Sequence, residues 1–173
     1  MGQISRYSGK AYDTGLKWYK MAAEQGRSSA AFGLAYNIIK GKTSTTSPEE
    51  KLSEAIKWLT VAAENGGGGD AYRIGECYYL SRLRESSFIS DFELQKIVMA
   101  KREPKKACVW FSIASRRKFN IGTDKWTHEH AVEDIESLLK KGLLTQQQID
   151  EADALADKMI KDNPKLIERY SEE

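Results

Sequence analysis

The chain is poor in several residues that mark particular kinds of protein. It has two cysteines and three prolines among 173 residues. Cys77 and Cys108 are too few for a disulfide framework, and neither sits in a C-x-x-C pair, so they read as two separate buried thiols. So little proline, with no low-complexity tract, gives little sign of a disordered linker. No run approaches the ~18 apolar residues that a membrane helix needs, so membrane insertion is not expected. The opening MGQISRYSGKAYD lacks the apolar stretch of a secretory signal. As given, the chain reads as cytoplasmic; if a signal peptide was removed, it reads as periplasmic. Net charge is scarce as well, at +2, too near neutral to point by itself to a nucleic-acid binder.

Catalytic motifs are equally sparse. There is no serine nucleophile elbow, no cysteine–histidine pairing in a known local context and no dinucleotide fingerprint. The glycine run NGGGGD, 65–70, lacks the Gly-Lys-Ser/Thr that would make it a phosphate cradle, and it reads as a turn. THEHAVED places His128 and His130 two apart, with Asp134 one turn beyond His130. A zinc helix of the HExxH kind needs histidines at i and i+4, so these read as surface histidines near a helix start. The expectation is a protein that is not an enzyme, with no catalytic residue, no metal and no cofactor.

What is present is a repeat. KWYKMAAEQG runs over 17–26 and KWLTVAAENG over 57–66. Trp18, Trp58 and Trp110 each follow a small residue three places earlier (Gly15, Ala55, Ala107). Each precedes a pair of small residues: Ala22-Ala23, Ala62-Ala63 and Ala114-Ser115. Spacings of three and four put these on one helix face, where alanine admits a neighbouring helix and the indole fills the volume beside it. Gly26 and Gly66 then stop the first two helices through positive φ. Lys118 replaces that glycine in the third copy, so its end should differ. A second helix follows each stop: Ala31, Leu34, Ala35 and Ile38 match Ala71, Ile74, Gly75 and Tyr78.

The two patterns, A-x-x-L-G-x-x-Y followed by A-x-x-W-[YF]-x-x-A-A-E-x-G, resemble the Sel-one-like repeat family, a relative of the tetratricopeptide repeat. The resemblance covers roughly 11–118, and LLTQQQIDEADALADKM resembles the closing helix that often ends bacterial members. It implies an all-α fold, a right-handed α-α solenoid of about three helix-pair repeats with a C-terminal capping helix. The whole chain, 1–173, is then one domain: repeat helices over about 11–118, an insertion over about 82–104 and a helical cap over about 127–170. One such unit cannot bury its own apolar face, so neighbours share a core, which should include Trp18, Leu34, Trp58, Ile74, Tyr78 and Trp110. The family also implies a protein-binding scaffold. Some members are adaptors in signalling or envelope assembly, and some are immunity proteins that neutralise a secreted effector or toxin. A further branch is cysteine-rich and binds β-lactams, and two cysteines not placed once per repeat argue against it.

The copies differ in ways that matter. Trp58 and Trp110 are 52 residues apart, against 40 for the first interval. The extra length carries Phe88, Ile89, Phe92, Leu94, Ile97 and Val98, too many apolar residues for a solvated loop, which predicts a short helix near 91–101 on the edge of the stack. GKTSTTSPEE, 41–50, reads as a polar connection with a helix start at Ser47-Pro48. Thr145 and Gln148 have capping-box spacing, and Asn163-Pro164 should break the last long helix.

A partner surface is expected beside the core stripe. Phe32, Tyr36 and Ile39 form a separate line with i, i+4, i+7 spacing, and their equivalents are Tyr72, Glu76 and Tyr79. Phe32, Tyr36, Tyr72, Glu76 and Tyr79 are therefore the candidate partner-binding residues, because aromatics give large contact area for little lost rotamer freedom. The competing reading is that the insertion covers these rings or that they fill the core. Charge is segregated too: Arg82 to Lys118 carries ten basic and four acidic residues, and Glu129 to Glu173 twelve acidic and six basic. That could steer an acidic partner to the middle of the chain, or simply mark solvated helix faces. The basic segment contains no recognisable nucleic-acid module.

Overall fold

Residues 15–24 form the first helix, α1, which the chain leaves through Gly26 at φ +81°. The computed structural model describes residues 15–40, 47–67, 69–80, 88–117 and 122–168, the last without the side chains of 122–124. Parts of the expected layout lie outside the described residues: the start of the repeats at 11–14, the connection at 41–46, insertion residues 82–87, Lys118, and cap residues 169–170. At Gly26 the N–H donates to Ala23 O (2.9 Å), and the Arg27 N–H donates to Ala22 O (3.1 Å). This bond pair closes a helix once its C′ residue enters the left-handed region, where only glycine is unstrained.

Helix α2 is Ser28–Ile39 and α3 is Pro48–Glu64. Ser47 opens α3 with a full capping box to Glu50, and Pro48 sits at the first helical position, worth about 1 kcal/mol as caps go. Gly66 ends α3 at φ +88° with the same bond pair, Gly66 N–H to Ala63 O and Gly67 N–H to Ala62 O. The expected stops at Gly26 and Gly66 therefore form, and Gly142 repeats them at the end of α7. Helix α4 is Asp70–Tyr78, α5 Phe92–Lys101, α6 Pro104–Ser115, α7 Gly122–Lys140 and α8 Gln146–Asp162. Thr145 and Gln148 make the capping box of α8, and at Asn163-Pro164 the helix gives way to a 3-10 turn, Pro164–Ile167. Among the described residues every regular element is helical, so the all-α expectation holds. No described helix is long and apolar enough to cross a membrane.

The elements pack mostly in chain order: α2 on α3, α3 on α4, α4 on α6, and α6 on both α7 and α8. One apolar cluster runs from Ala23 to Leu166. Ala31, Ala35, Ala55, Ala62, Ala63, Ala71, Ala107 and Ala114 are all buried, as close helix approach requires. At Gly75 a Cβ would lie 2.4 Å from the Phe111 ring, so the glycine of the second unit lets α6 lay an aromatic ring directly on the α4 backbone.

The expected shared core needs correction. Leu34, Trp58 and Ile74 are buried, whereas Tyr78 and Trp110 are half-buried on its margin and Trp18 is 65% exposed. Among the described residues no helix lies beyond α1 to cover Trp18. In α6 it is Phe111, not Trp110, that reaches full burial.

The insertion behaves as its apolar residues predict. Asp91 caps α5 by accepting from the Leu94 N–H at 3.0 Å, and the helix packs on α3 and α4. Phe88, Ile89, Leu94 and Val98 are buried, while Phe92 faces solvent.

Candidate interaction surface

Phe32 and Tyr36 are one turn apart on α2, with ring centroids separated by 6.1 Å. Phe88, brought in by the insertion, completes a triad at 6.2 Å from Phe32 and 6.4 Å from Tyr36. Two cations frame it. The Arg73 guanidinium lies 4.6 Å from the Phe32 ring and 5.8 Å from Phe88. The Lys40 ammonium sits 5.5 Å from Tyr36 and donates to Ser90 Oγ at 2.6 Å. Cations over ring faces gain from the quadrupole, by about 0.5–2 kcal/mol depending on exposure. Tyr36, at 41% exposed, is the open end of this cluster.

Arg73 is held from below by Asp70, whose Oδ1 accepts from Nη1 at 3.2 Å. Asp70 is the first residue of α4 and is buried. Burial pushes its carboxyl up to about 7, against the opposing pull of Arg73 and of Arg117.

The other expected partner-binding residues go elsewhere. Tyr72 is 5% exposed, and its hydroxyl donates to the buried Asp134 Oδ2 at 2.9 Å. Its ring packs between Phe111, at 5.4 Å, and Trp126, at 5.6 Å. Tyr79 is 2% exposed, with its hydroxyl accepting from Lys141 Nζ at 3.4 Å. Glu76 is half-buried. The single groove expected from the stripe does not form: Phe32 and Tyr36 stay together, while Tyr72 and Tyr79 face inward. Phe88, Arg73 and Lys40 were missed. The aromatic content of the insertion was a signal for Phe88, and the i, i+3 spacing of Asp70 and Arg73 was one for Arg73; nothing local marked Lys40.

The histidines and cysteines are engaged in packing. The Ser115 carbonyl accepts from His128 Nδ1 (2.6 Å) and the Trp126 carbonyl from His130 Nδ1 (2.8 Å); the His130 ring stacks on Trp126 at 4.1 Å. Among the described residues no group of three His, Cys, Asp or Glu is placed to hold a metal ion. Cys77 and Cys108 are both buried and free. Burial drives the Cys77 thiol far above its ordinary range and the Cys108 thiol up to about 11, so neither offers a thiolate near neutral pH. An open groove of about 340 Å³ runs along the end of α7, lined by Glu133, Glu136, Ser137, Lys140 and Lys141. No protein-family model, no curated protein and no solved structure matches the chain.

Proposed function

We propose that this chain is a non-enzymatic protein–protein interaction scaffold: a right-handed α-α solenoid of about three helix-pair repeats, closed by a C-terminal cap, that binds a partner protein on its surface. The observation that carries this reading is the Phe32–Tyr36–Phe88 cluster. Two segments distant in sequence assemble an aromatic cluster whose exposed member is Tyr36, flanked by Arg73 and Lys40; tyrosine and arginine are among the residue types in which interface hot spots are richest. The resemblance of the repeat strings to the Sel-one-like family supports the same reading. So do the histidines and cysteines, each occupied in packing. The insertion lengthens only the second interval between the tryptophans, and it supplies Phe88. That favours a single dedicated partner, as in an immunity protein that neutralises a secreted effector, over a general adaptor.

The test is affinity purification from the native cell with wild type and Tyr36→Ala, followed by mass spectrometry and thermal unfolding. A partner should co-purify with wild type and be depleted about tenfold or more by the variant, with the melting temperature unchanged. A loss of stability as large as the loss of binding, or no partner with wild type, overturns the reading.

A further inference from the structure

Cations of the middle of the chain gather at one corner. Lys101 and Arg102 end α5, Lys105 and Lys106 begin α6, and Lys141 lies in the turn between α7 and α8; all five are exposed. The corner is fixed by a backbone bond, the Glu103 N–H donating to Tyr78 O at 3.0 Å, which holds the α5–α6 link against the end of α4. Around this bond the Arg102 guanidinium lies 5.8 Å and the Lys141 ammonium 5.9 Å from the Tyr79 ring, with Lys106 at 5.3 Å from the Tyr78 ring. Three elements thus bring positive charge to two adjacent tyrosines. Glu103 pairs with Lys106, yet the run 101–106 still holds four cations to one acid.

Helix stability does not explain this placement. The first turn of α6 contains no acid, and its N-cap, Glu103, makes no capping hydrogen bond but pairs with Lys106, so it is Lys105 that stands at the positive end of the helix dipole without that offset, where a cation costs a few tenths of a kcal/mol. A negatively charged occupant would relieve both that opposition and the mutual repulsion of the corner.

We propose that this corner docks a short segment of the partner protein rich in Asp and Glu. The proposal rests on the scaffold reading and names the chemistry of its partner. The geometry favours a short acidic segment over a nucleic acid, because Tyr79 is buried and Lys106 lies over the half-buried Tyr78, which leaves no open stack for bases. A long polyanion would also run onto Glu133 and Glu136 beside Lys140 and Lys141 and onto the acidic surplus of the last two helices. A short peptide can engage the cations of the α5–α6 link without reaching them.

The test is fluorescence anisotropy with a fluorescein-labelled peptide of Asp and Glu residues at low salt. The samples are wild type, Arg102→Glu/Lys105→Glu, and the control Lys158→Glu/Lys161→Glu on α8, with unfolding curves for each. The corner variant should lose about tenfold or more in affinity, the control should not, and added salt should weaken wild-type binding. If the corner variant unfolds, Arg102→Gln/Lys105→Gln is read instead. Equal loss in both variants, no binding to wild type, or tighter binding of oligothymidine or of phosphatidylserine vesicles overturns the proposal. Purification from the native cell separates the two readings. A partner retained equally by wild type and the corner variant sinks the docking site and leaves the scaffold standing, whereas no partner with wild type sinks both.

Discussion

KWYKMAAEQG and KWLTVAAENG build the same helix end twice, yet Trp18 in the first is 65% exposed and Trp58 in the second is 4% exposed. Both helices stop at a glycine of positive φ, and both bury the second alanine of their pair. What differs is the neighbour. Helix α3 lies between α2 and α4, whereas no described helix lies beyond α1. The string specifies a helix and its stop; the fate of the indole is decided by what stacks on it. Trp58→Ala should therefore cost about 3–5 kcal/mol, the usual range for emptying a large aromatic core site. Trp18→Ala should stay within about 0.5 kcal/mol, as a surface change does. Urea unfolding of the two variants checks this, and equal costs would break the comparison.

The same offset of forty pairs Ala30 of α2 with Asp70 of α4, both buried. One unit fills the slot with a methyl group and the other with a carboxyl pushed up to about 7 by burial. A folded-state value above the ordinary one near 3.8 means that the folded protein holds the proton more tightly than the unfolded chain. Asp70 thus favours folding fully below about pH 4, and that contribution is lost as pH rises to about 7. Asp70→Asn cannot ionise and keeps an acceptor for Arg73. Relative to wild type it should gain roughly 3 kcal/mol between pH 5 and pH 8. Denaturation midpoints at both pH values measure the gain. A constant difference would mean that Arg73 and Arg117 hold the carboxylate ionised.

Ala35 and Gly75 occupy equivalent positions with opposite demands. A methyl group is buried without conflict at Ala35, while at Gly75 it would meet the Phe111 ring at 2.4 Å. Gly75→Ala should cost about 1–3 kcal/mol by overpacking, despite alanine's better helix propensity. Gly75→Ala with Phe111→Leu should recover part of the loss if the ring is the obstacle. Full loss in the double variant would place the strain elsewhere.

Features governed by a few adjacent residues were legible in the chain: the stops at Gly26 and Gly66, the caps at Ser47 and Thr145, the break at Asn163-Pro164, and α5 within the insertion. Spacing alone carries such signals. Burial was harder to read, because it depends on which distant element arrives. Tyr79 shows why: its counterpart forty residues earlier, Ile39, is itself fully buried, so the surface stripe already contained a core position at its end. Phe88 reached Phe32 and Tyr36 only through the path of the insertion, and Arg73 reached the cluster through Asp70. The first link has no local sequence mark; the second has i, i+3 spacing, which does not reveal the rings that Arg73 meets.

The smallest expected effects separate the two outer members of the aromatic set. The Tyr72 hydroxyl donates to Asp134 inside the protein, so Tyr72→Phe leaves a buried carboxyl short of a donor and should cost about 1–3 kcal/mol. Tyr36 presents its ring at the surface beside Lys40, and Tyr36→Phe should change stability by less than about 0.5 kcal/mol. Calorimetry of both variants ranks them. If Tyr36→Phe proves as damaging as Tyr72→Phe, the hydroxyl of Tyr36 is structural, and the Phe32–Tyr36–Phe88 cluster belongs to the core rather than to a partner.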